Sequence, residues 1–373
     1  MQENETASSA AQSNVTFDPN STALAESGLF GLPYSADEAK IHIIPVPWEV
    51  TTSYGRGTSL GPAAVLRASH QVDLFDIETG DAWSAGYYMD DISEEWSQRS
   101  ERLKEAALER LELIESGEEN GESAENIRKA INEGSDALNK WVEEQASAKL
   151  EAGKIPGLVG GDHSSPFGLI KAIHKKYKGD FGVLHIDAHA DLRDAYQGYN
   201  HSHASIMHNV VERIGPRCLV QVGIRDFSRG EYDYSESRRG LSGEIASGRI
   251  VTHYDRHLKR RLDAGESFTQ IANSIIADLP QNVYVSFDID GLDPALCPNT
   301  GTPVPGGLSF DQAATLIAAL HANGKRIVGF DLNEVAEPEE GAGEWDANVG
   351  ARMLFKICGW AAITNGLAQP LAK

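Results

Sequence analysis

Short runs of three to six mostly apolar residues recur along the chain at 41–44, 157–159, 181–186, 218–222, 283–287 and 326–330. They are apolar at successive rather than alternate positions, as in strands buried on both faces of a parallel sheet. Between them lie amphipathic segments at 61–70, 167–176, 204–214, 268–279, 310–322 and 348–361 that read as helices. Alternation of this kind predicts a three-layer α/β/α fold around a central, mainly parallel sheet. Two more charged helical segments, 94–116 and 123–150, fall between strand signals and read as an inserted acidic helical hairpin occupying about 93–151. Residues 1–40 are rich in Ser, Thr, Asn, Ala and acidic side chains with little periodicity. They are expected to form an N-terminal extension, mobile or pinned by a neighbouring subunit, ahead of a domain spanning 41–373.

Composition narrows the function. A chain of 373 residues that is 41% hydrophobic can bury a substantial core, which excludes a disordered or fibrous protein. With 33 basic against 55 acidic residues, the net charge of −22 argues against nucleic acid or an anionic membrane as partner and tolerates a cationic substrate. The crowd of Glu between 93 and 151, among them Glu94, Glu101, Glu105 and Glu109, reads as a solvated helix face. Cys218, Cys297 and Cys358 are far apart and form no Cys-x-x-Cys pair, so neither a disulfide framework nor a thiolate zinc site is expected, in keeping with a reducing cytoplasm. The polar N-terminus lacks a basic-then-apolar leader pattern and no apolar run reaches spanning length, so a soluble, unexported protein is expected.

Polar residues gather where a parallel sheet places its ligands, beyond the carboxyl ends of strands. After the run ending at Ile186 comes Asp187-Ala188-His189-Ala190-Asp191, three potential metal ligands spaced by small alanines. In an extended chain all three project to one side. After Phe287 comes Asp288-Ile289-Asp290, leading into the turn signal Gly291-Leu292-Asp293-Pro294, and after Val159 comes Gly160-Gly161-Asp162-His163-Ser164. Taken singly, an Asp-x-Asp pair or a Gly-Gly-Asp-His turn can be a solvated loop or a cap. Carboxylates this close repel unless a cation or proton compensates, and three strand ends deliver them together. Four aspartates (Asp187, Asp191, Asp288, Asp290) and two histidines (His163, His189) balance the charge of two divalent ions. This mixture of carboxylate and imidazole suits Mn²⁺, or Ni²⁺, better than ions that prefer thiolate.

These three segments, Gly-Gly-Asp-His, Asp-Ala-His-Ala-Asp and Ser-Phe-Asp-Ile-Asp-Gly-Leu-Asp-Pro, resemble in form and order the metal-ligand signatures of the arginase/agmatinase (ureohydrolase) family. The resemblance runs from about residue 41 to about 357 and includes the turn Gly301-Thr302-Pro303-Val304-Pro305-Gly306-Gly307-Leu308. The N-terminal extension and the acidic hairpin depart from a minimal member. The resemblance implies one ion on His163, Asp187, Asp191 and Asp288 and a second on Asp187, His189, Asp288 and Asp290, with Asp187 and Asp288 bridging. It also implies that Glu334, in Asp331-Leu332-Asn333-Glu334-Val335, pairs with the guanidinium, and that Asp290 helps to protonate the leaving nitrogen. His203 in Ser202-His203-Ala204-Ser205 would shuttle protons, with His201 as its rival; Ala204 stands where relatives commonly have Gly. His185, two residues before Asp187, is read as a histidine that packs or orients a ligand.

The segment 45–58 resembles the agmatinase-like branch, and 192–202 lacks the Asn and Ser pattern with which arginases grip an α-amino acid. The implied substrate is therefore a small guanidino cation, agmatine or free guanidine, with guanidinobutyrate or another guanidino acid as alternatives. Tyr196, Tyr199 and Trp345 are candidates to close over it through their π faces. Family likeness further implies a homo-oligomer, trimer or hexamer. The competing readings are a zinc amide deacylase on the related fold, which would need one ion rather than two, and a metal-binding regulatory subunit without turnover.

Overall fold

The computed structural model describes residues 17–23, 27–52, 55–242, 244–245, 247–337 and 344–372. Among these residues eight strands occur: β1 (Ile41–Val46), β2 (Tyr87–Met89), β3 (Ile155–Gly160), β4 (Gly182–Ile186), β5 (Cys218–Ile224), β6 (Arg249–Tyr254), β7 (Asn282–Asp288) and β8 (Arg326–Asn333). They form one sheet in the order β2-β1-β3-β8-β7-β4-β5-β6, and every ladder is parallel. β1, β3, β4, β5 and β7 are buried at every position, which is why each shows a mostly apolar run rather than an alternating one in the sequence. The two edge strands carry no such signature. β2 is only three residues long, and β6 carries Arg249, Thr252 and His253 on a half-covered edge.

Successive side chains leave the sheet on opposite faces, so Val183 enters one core layer and Leu184 the other. The layer containing Leu184 is roofed by helices Gly61–Ser69, Phe268–Ile276, Phe310–Ala322 and Trp345–Thr364. Helices Glu122–Glu151 and Phe167–Tyr177, with the winding segment that starts at His203–Ser205 and ends at Val210–Ile214, cover the opposite face. This arrangement is the expected three-layer fold.

Two segments are more deeply embedded than their composition suggests. The acidic hairpin consists of helices Glu94–Glu115 and Glu122–Glu151, and Glu101, Glu105 and Glu109 face solvent. The longer helix nevertheless buries Ile131, Leu138, Val142, Ala146 and Leu150 against helix Phe167–Tyr177, so it forms a wall of the core. Part of the segment read as an N-terminal extension is also core. Leu29, Phe30 and Leu32 are buried, and the Phe30 ring meets Tyr87 and Phe355 edge-on at 6.2 and 5.0 Å. One apolar cluster in a polar stretch gives no periodicity, so its burial is invisible before folding; residues 1–16 lie outside the described residues.

Candidate metal centre and active site

Four adjacent strands, β3, β8, β7 and β4, end beside one another and release the chemically active segments at the same rim. Gly161 lets the first of them turn in tightly. A Cβ there would stand 2.0 Å from the Trp48 carbonyl, while the Gly161 and Asp162 amides donate to Val46 O and Trp48 O. Two other positions of the site need strained backbone, for Asp191 (φ 53) and Glu334 (φ 61) both lie in the left-handed region that non-glycine residues rarely adopt.

All six sequence-predicted ligands converge. Nδ1 of His163 lies 3.0 Å from Asp187 Oδ2, 3.3 Å from Asp191 Oδ2 and 3.2 Å from Asp288 Oδ2. Nδ1 of His189 lies 2.9 Å from Asp290 Oδ2 and 3.6 Å from Asp187 Oδ1. Asp187 therefore turns one oxygen toward each histidine, and it belongs to both groups of side chains close enough to hold an ion, one with His163, His185 and Asp191 and the other with His189 and Asp290. Asp288 approaches through His163, its other oxygen accepting the Asp290 amide at 2.9 Å. Apart from the partly exposed His189, the ligands are buried.

The electrostatics show what the cluster lacks. Burial, reinforced by Asp290 and Asp187, drives Asp288 well above the usual carboxylate range, and burial with the charge of Asp187 lifts Asp191 to about 6. Burial opposes ionisation of Asp187 too, but the charge of His185 and hydrogen bonds from His163, His185 and His189 outweigh it and hold Asp187 well below its ordinary value. His189 is pushed up to about 12 because Asp290 and Asp187 overcome its desolvation. Four carboxylates crowd around the three imidazoles of His163, His185 and His189, and their negative charge exceeds what protonated histidines can neutralise. Oxygen and imidazole donors of this number and charge fit a pair of divalent cations.

A second layer, only part of which the sequence reading anticipated, fixes the ligands. His163 directs Nε2 at Ser286 Oγ (2.9 Å), whose hydroxyl donates to Asp331 Oδ1 (3.0 Å), leaving Nδ1 for the cluster. His185 Nε2 contacts Asp187 Oδ2 at 2.8 Å, from where it can orient that carboxylate. Gln221 donates to His185 Nδ1 (3.1 Å) and to Ala190 O (2.7 Å), and Thr252 donates to Gln221 Oε1 (3.0 Å). Ser286 and Gln221 could have been noticed, because a polar side chain inside a fully buried strand must find a partner there. Gln221→Leu is expected to weaken metal binding roughly 10- to 100-fold, measured by titration of metal-stripped protein, because His185 and the Ala190 carbonyl lose their donor. Unchanged affinity would remove Gln221 from the centre.

Glu334 is buried beside the cluster, its Oε1 accepting the His163 amide at 2.8 Å and its carbonyl accepting from Thr300 Oγ1 at 2.8 Å. Burial and the charge of Asp162 raise its carboxyl well above the ordinary range, so the group is short of a cation. His203 is partly buried, with Nδ1 3.2 Å from Thr51 Oγ1 and its ring 6.1 Å from that of Tyr196. Burial and the charge of nearby His189 lower it to about 4. Its rival His201 is engaged elsewhere, between Asp136 (3.2 Å), Arg213 (3.2 Å) and the Phe167 ring.

The other aromatic candidates are placed differently from expectation. Tyr199 is buried with the Arg110 guanidinium 5.0 Å from its ring centre, and the cavity it lines with Thr51 and Thr52 measures only about 20 Å³. Trp345 is half exposed and donates its indole N–H to Ala295 O at 3.0 Å. Neither ring closes over the carboxylates in this structure. Rings of this kind serve packing as readily as recognition, and sequence cannot separate the two.

A parallel α/β sheet that brings these ligands to one rim, beside a buried carboxylate short of a cation, defines a ureohydrolase-type site. Residues 39–359 match the Arginase family, and the chain belongs to that family. It is a hydrolase of amidino carbon–nitrogen bonds, in a family whose enzymes use a binuclear metal centre. The chain is 30% identical to N(1)-aminopropylagmatine ureohydrolase of Thermus thermophilus over 90% of its own length and 94% of the relative's. It is 27% identical to guanidinobutyrase of Pseudomonas aeruginosa, covering 87% of each chain. The solved agmatine ureohydrolase of Thermoplasma volcanium superposes with a TM-score of 0.66 at 22% identity, over 91% of this chain and 95% of that one, a likeness of fold. Among the described residues no helix is long and apolar enough to cross a membrane.

Proposed function

We propose that this protein hydrolyses the guanidinium group of a small cation, agmatine or free guanidine, to urea and an amine or ammonia. The observation that carries the reading is the convergence of His163, Asp187, His189, Asp191, Asp288 and Asp290 beside the buried, cation-seeking Glu334. His163, Asp187, Asp191 and Asp288 would hold one divalent ion and Asp187, His189, Asp288 and Asp290 the other, manganese in the first instance and nickel as the alternative. Bound there, such ions lower the pKa of water and so supply a nucleophile near neutral pH.

The chain's own residues supply the rest. Glu334 holds the planar cation with its carbon toward the cluster, a charge-assisted interaction that also neutralises a buried carboxylate. Water oxygen adds to the guanidinium carbon, the bond to the departing nitrogen breaks, and that nitrogen must gain a proton as it leaves. We assign to Asp290, whose Oδ2 lies against His189, the transfer to that nitrogen of the proton released by the attacking water. His203 exchanges the proton with solvent through the rim, its ring turned by Thr51.

The test is urea release from purified protein loaded separately with manganese or nickel and offered guanidine, agmatine, guanidinobutyrate and arginine in parallel. Metal-dependent urea from guanidine or agmatine is the expected result. Urea from guanidinobutyrate alone would move the substrate to the guanidino acids, and no urea from any of them, with ions bound, would overturn the reading.

A further inference from the structure

The loop that leads into His203 has an unfavourable backbone. Ala195 (φ 51) and Gln197 (φ 53) are left-handed without being glycine, and Gly198 (φ 79) follows them. Strain of this kind persists only where the surroundings over-determine it. Here the surroundings are the acidic hairpin. Arg110 Nη1 donates to Gln197 O at 2.8 Å, Arg128 Nη1 to Gly198 O at 3.4 Å and Asn132 Nδ2 to Gly198 O at 3.3 Å. Asn132 Oδ1 in turn accepts the Asn200 amide at 2.8 Å, and Asp136 meets His201 at 3.2 Å. Both helices thus end their polar side chains on residues 197, 198, 200 and 201 of one loop, and Arg110 and Asn132 are themselves buried.

The same hairpin holds the opposite wall. Ser100 Oγ accepts the Glu49 amide at 2.9 Å, and Lys104 Nζ pairs with Glu49 Oε1 at 2.9 Å. The other oxygen of this fully buried carboxylate accepts the Gly57 and Ser59 amides, each at 3.0 Å. Thr51, two residues beyond Glu49, is the side chain that meets His203, its Oγ1 also accepting the His203 amide at 3.2 Å. The two walls therefore touch at the Thr51–His203 contact, and each is tied to the hairpin independently.

We propose that the acidic hairpin is a positioning device for His203, with Arg110 and Asn132 as its positioning residues. The proposal rests on the reading of His203 as the proton carrier. A surface appendage would need none of these buried ties to loop carbonyls. Residues that act only through the placement of another group can still carry a large share of a rate, because a displacement of about 1 Å can cost about 100-fold.

The experiment uses the full, metal-loaded chain as Arg110→Ala, Arg110→Lys, Asn132→Ala, His203→Ala and the doubles Arg110→Ala/His203→Ala and Asn132→Ala/His203→Ala. Readouts are kcat and KM, bound metal, and hydrogen exchange of the amides between 195 and 203. Expected are faster exchange in that segment for both alanine variants, a fall in kcat of about 10- to 100-fold with metal content and KM little changed, and partial recovery in Arg110→Lys. In the His203→Ala background neither substitution should lower kcat further, since residues acting through one group are not additive. Exchange and kcat unchanged in both Arg110→Ala and Asn132→Ala, or losses that add to that of His203→Ala, would overturn the proposal. If His203→Ala alone leaves kcat intact, the proton-carrier assignment fails; faster exchange in the hairpin variants would still establish the clamp on the loop, separating the two failures.

Discussion

Replacing Glu334 by Gln is expected to lower kcat/KM by about 10²- to 10³-fold while leaving the metal content of the protein as it was. The amide can keep the contact that Glu334 now makes, because its oxygen can accept the His163 N–H at the same 2.8 Å. It keeps the side-chain length, and the left-handed backbone at 334 makes no distinction between the two residues. What it lacks is the negative charge, and the carboxylate's worth to a buried cation is about 2–5 kcal/mol. A guanidinium bound against a neutral amide would be a desolvated cation with too few acceptors. Metal analysis together with steady-state kinetics checks the prediction, and turnover equal to that of the parent would remove Glu334 from substrate binding. Loss of metal with loss of activity would instead make it a support for His163.

The separation of roles matters because the sequence already suggested both. Asp-Ala-His-Ala-Asp and Asp-Ile-Asp each stand directly after an apolar run, so the parallel-strand reading itself carried their side chains to one rim. That inference needed only the period of the strand and the position of its end. The six predicted ligands accordingly meet within hydrogen-bonding distances. The order of strands was not legible, since nothing local shows that β8 lies between β3 and β7 and so delivers Glu334 beside His163. Nor was the tilt at Asp191 and Glu334, whose positive φ angles are imposed by tertiary contacts and contradict the preference of the residues themselves.

The edge strands failed to show, and the packing of the hairpin stayed hidden although its two helices were legible, for a related reason. A strand covered on one side only, such as β6, presents arginine, threonine and histidine where a central strand presents valine, so its pattern dissolves into that of a loop. In helix Glu122–Glu151 the charged residues dominate the composition, yet Ile131, Leu138, Val142 and Ala146 occupy one stripe and decide where it packs. Tyr199 illustrates the limit for function. Its neighbourhood to the ligand motif suggested a ring over the substrate, and Arg110, nearly ninety residues earlier in the chain, occupies that face instead.

Asp187→Asn is expected to empty the whole centre, whereas Asp191→Asn and Asp290→Asn should each impair one half of it. The geometry gives the asymmetry. Oδ2 of Asp187 faces His163 and His185 while Oδ1 faces His189, so this carboxylate alone offers an oxygen to both histidines of the ligand set. Asp191 approaches only His163 and Asp290 only His189. The surrounding charges agree, for His185 with the hydrogen bonds of His163, His185 and His189 keeps Asp187 ionised against its burial, while burial and repulsion push Asp288 and Asp191 toward the protonated form. An amide at 187 would keep one acceptor but no charge, and metal affinity depends on deprotonated ligands. Bound metal should fall from about two ions per chain to well under one in Asp187→Asn and to about one in each of the other two variants, with activity lost in all three. Thermal unfolding gives an independent reading, because an ion that binds only the folded chain adds about 4 kcal/mol of stability at a thousand times its Kd. Added metal should therefore raise the Tm of the parent and leave that of Asp187→Asn nearly where it was. Two ions retained in Asp187→Asn would show that Asp187 does not bridge and would leave the bridging to Asp288 alone.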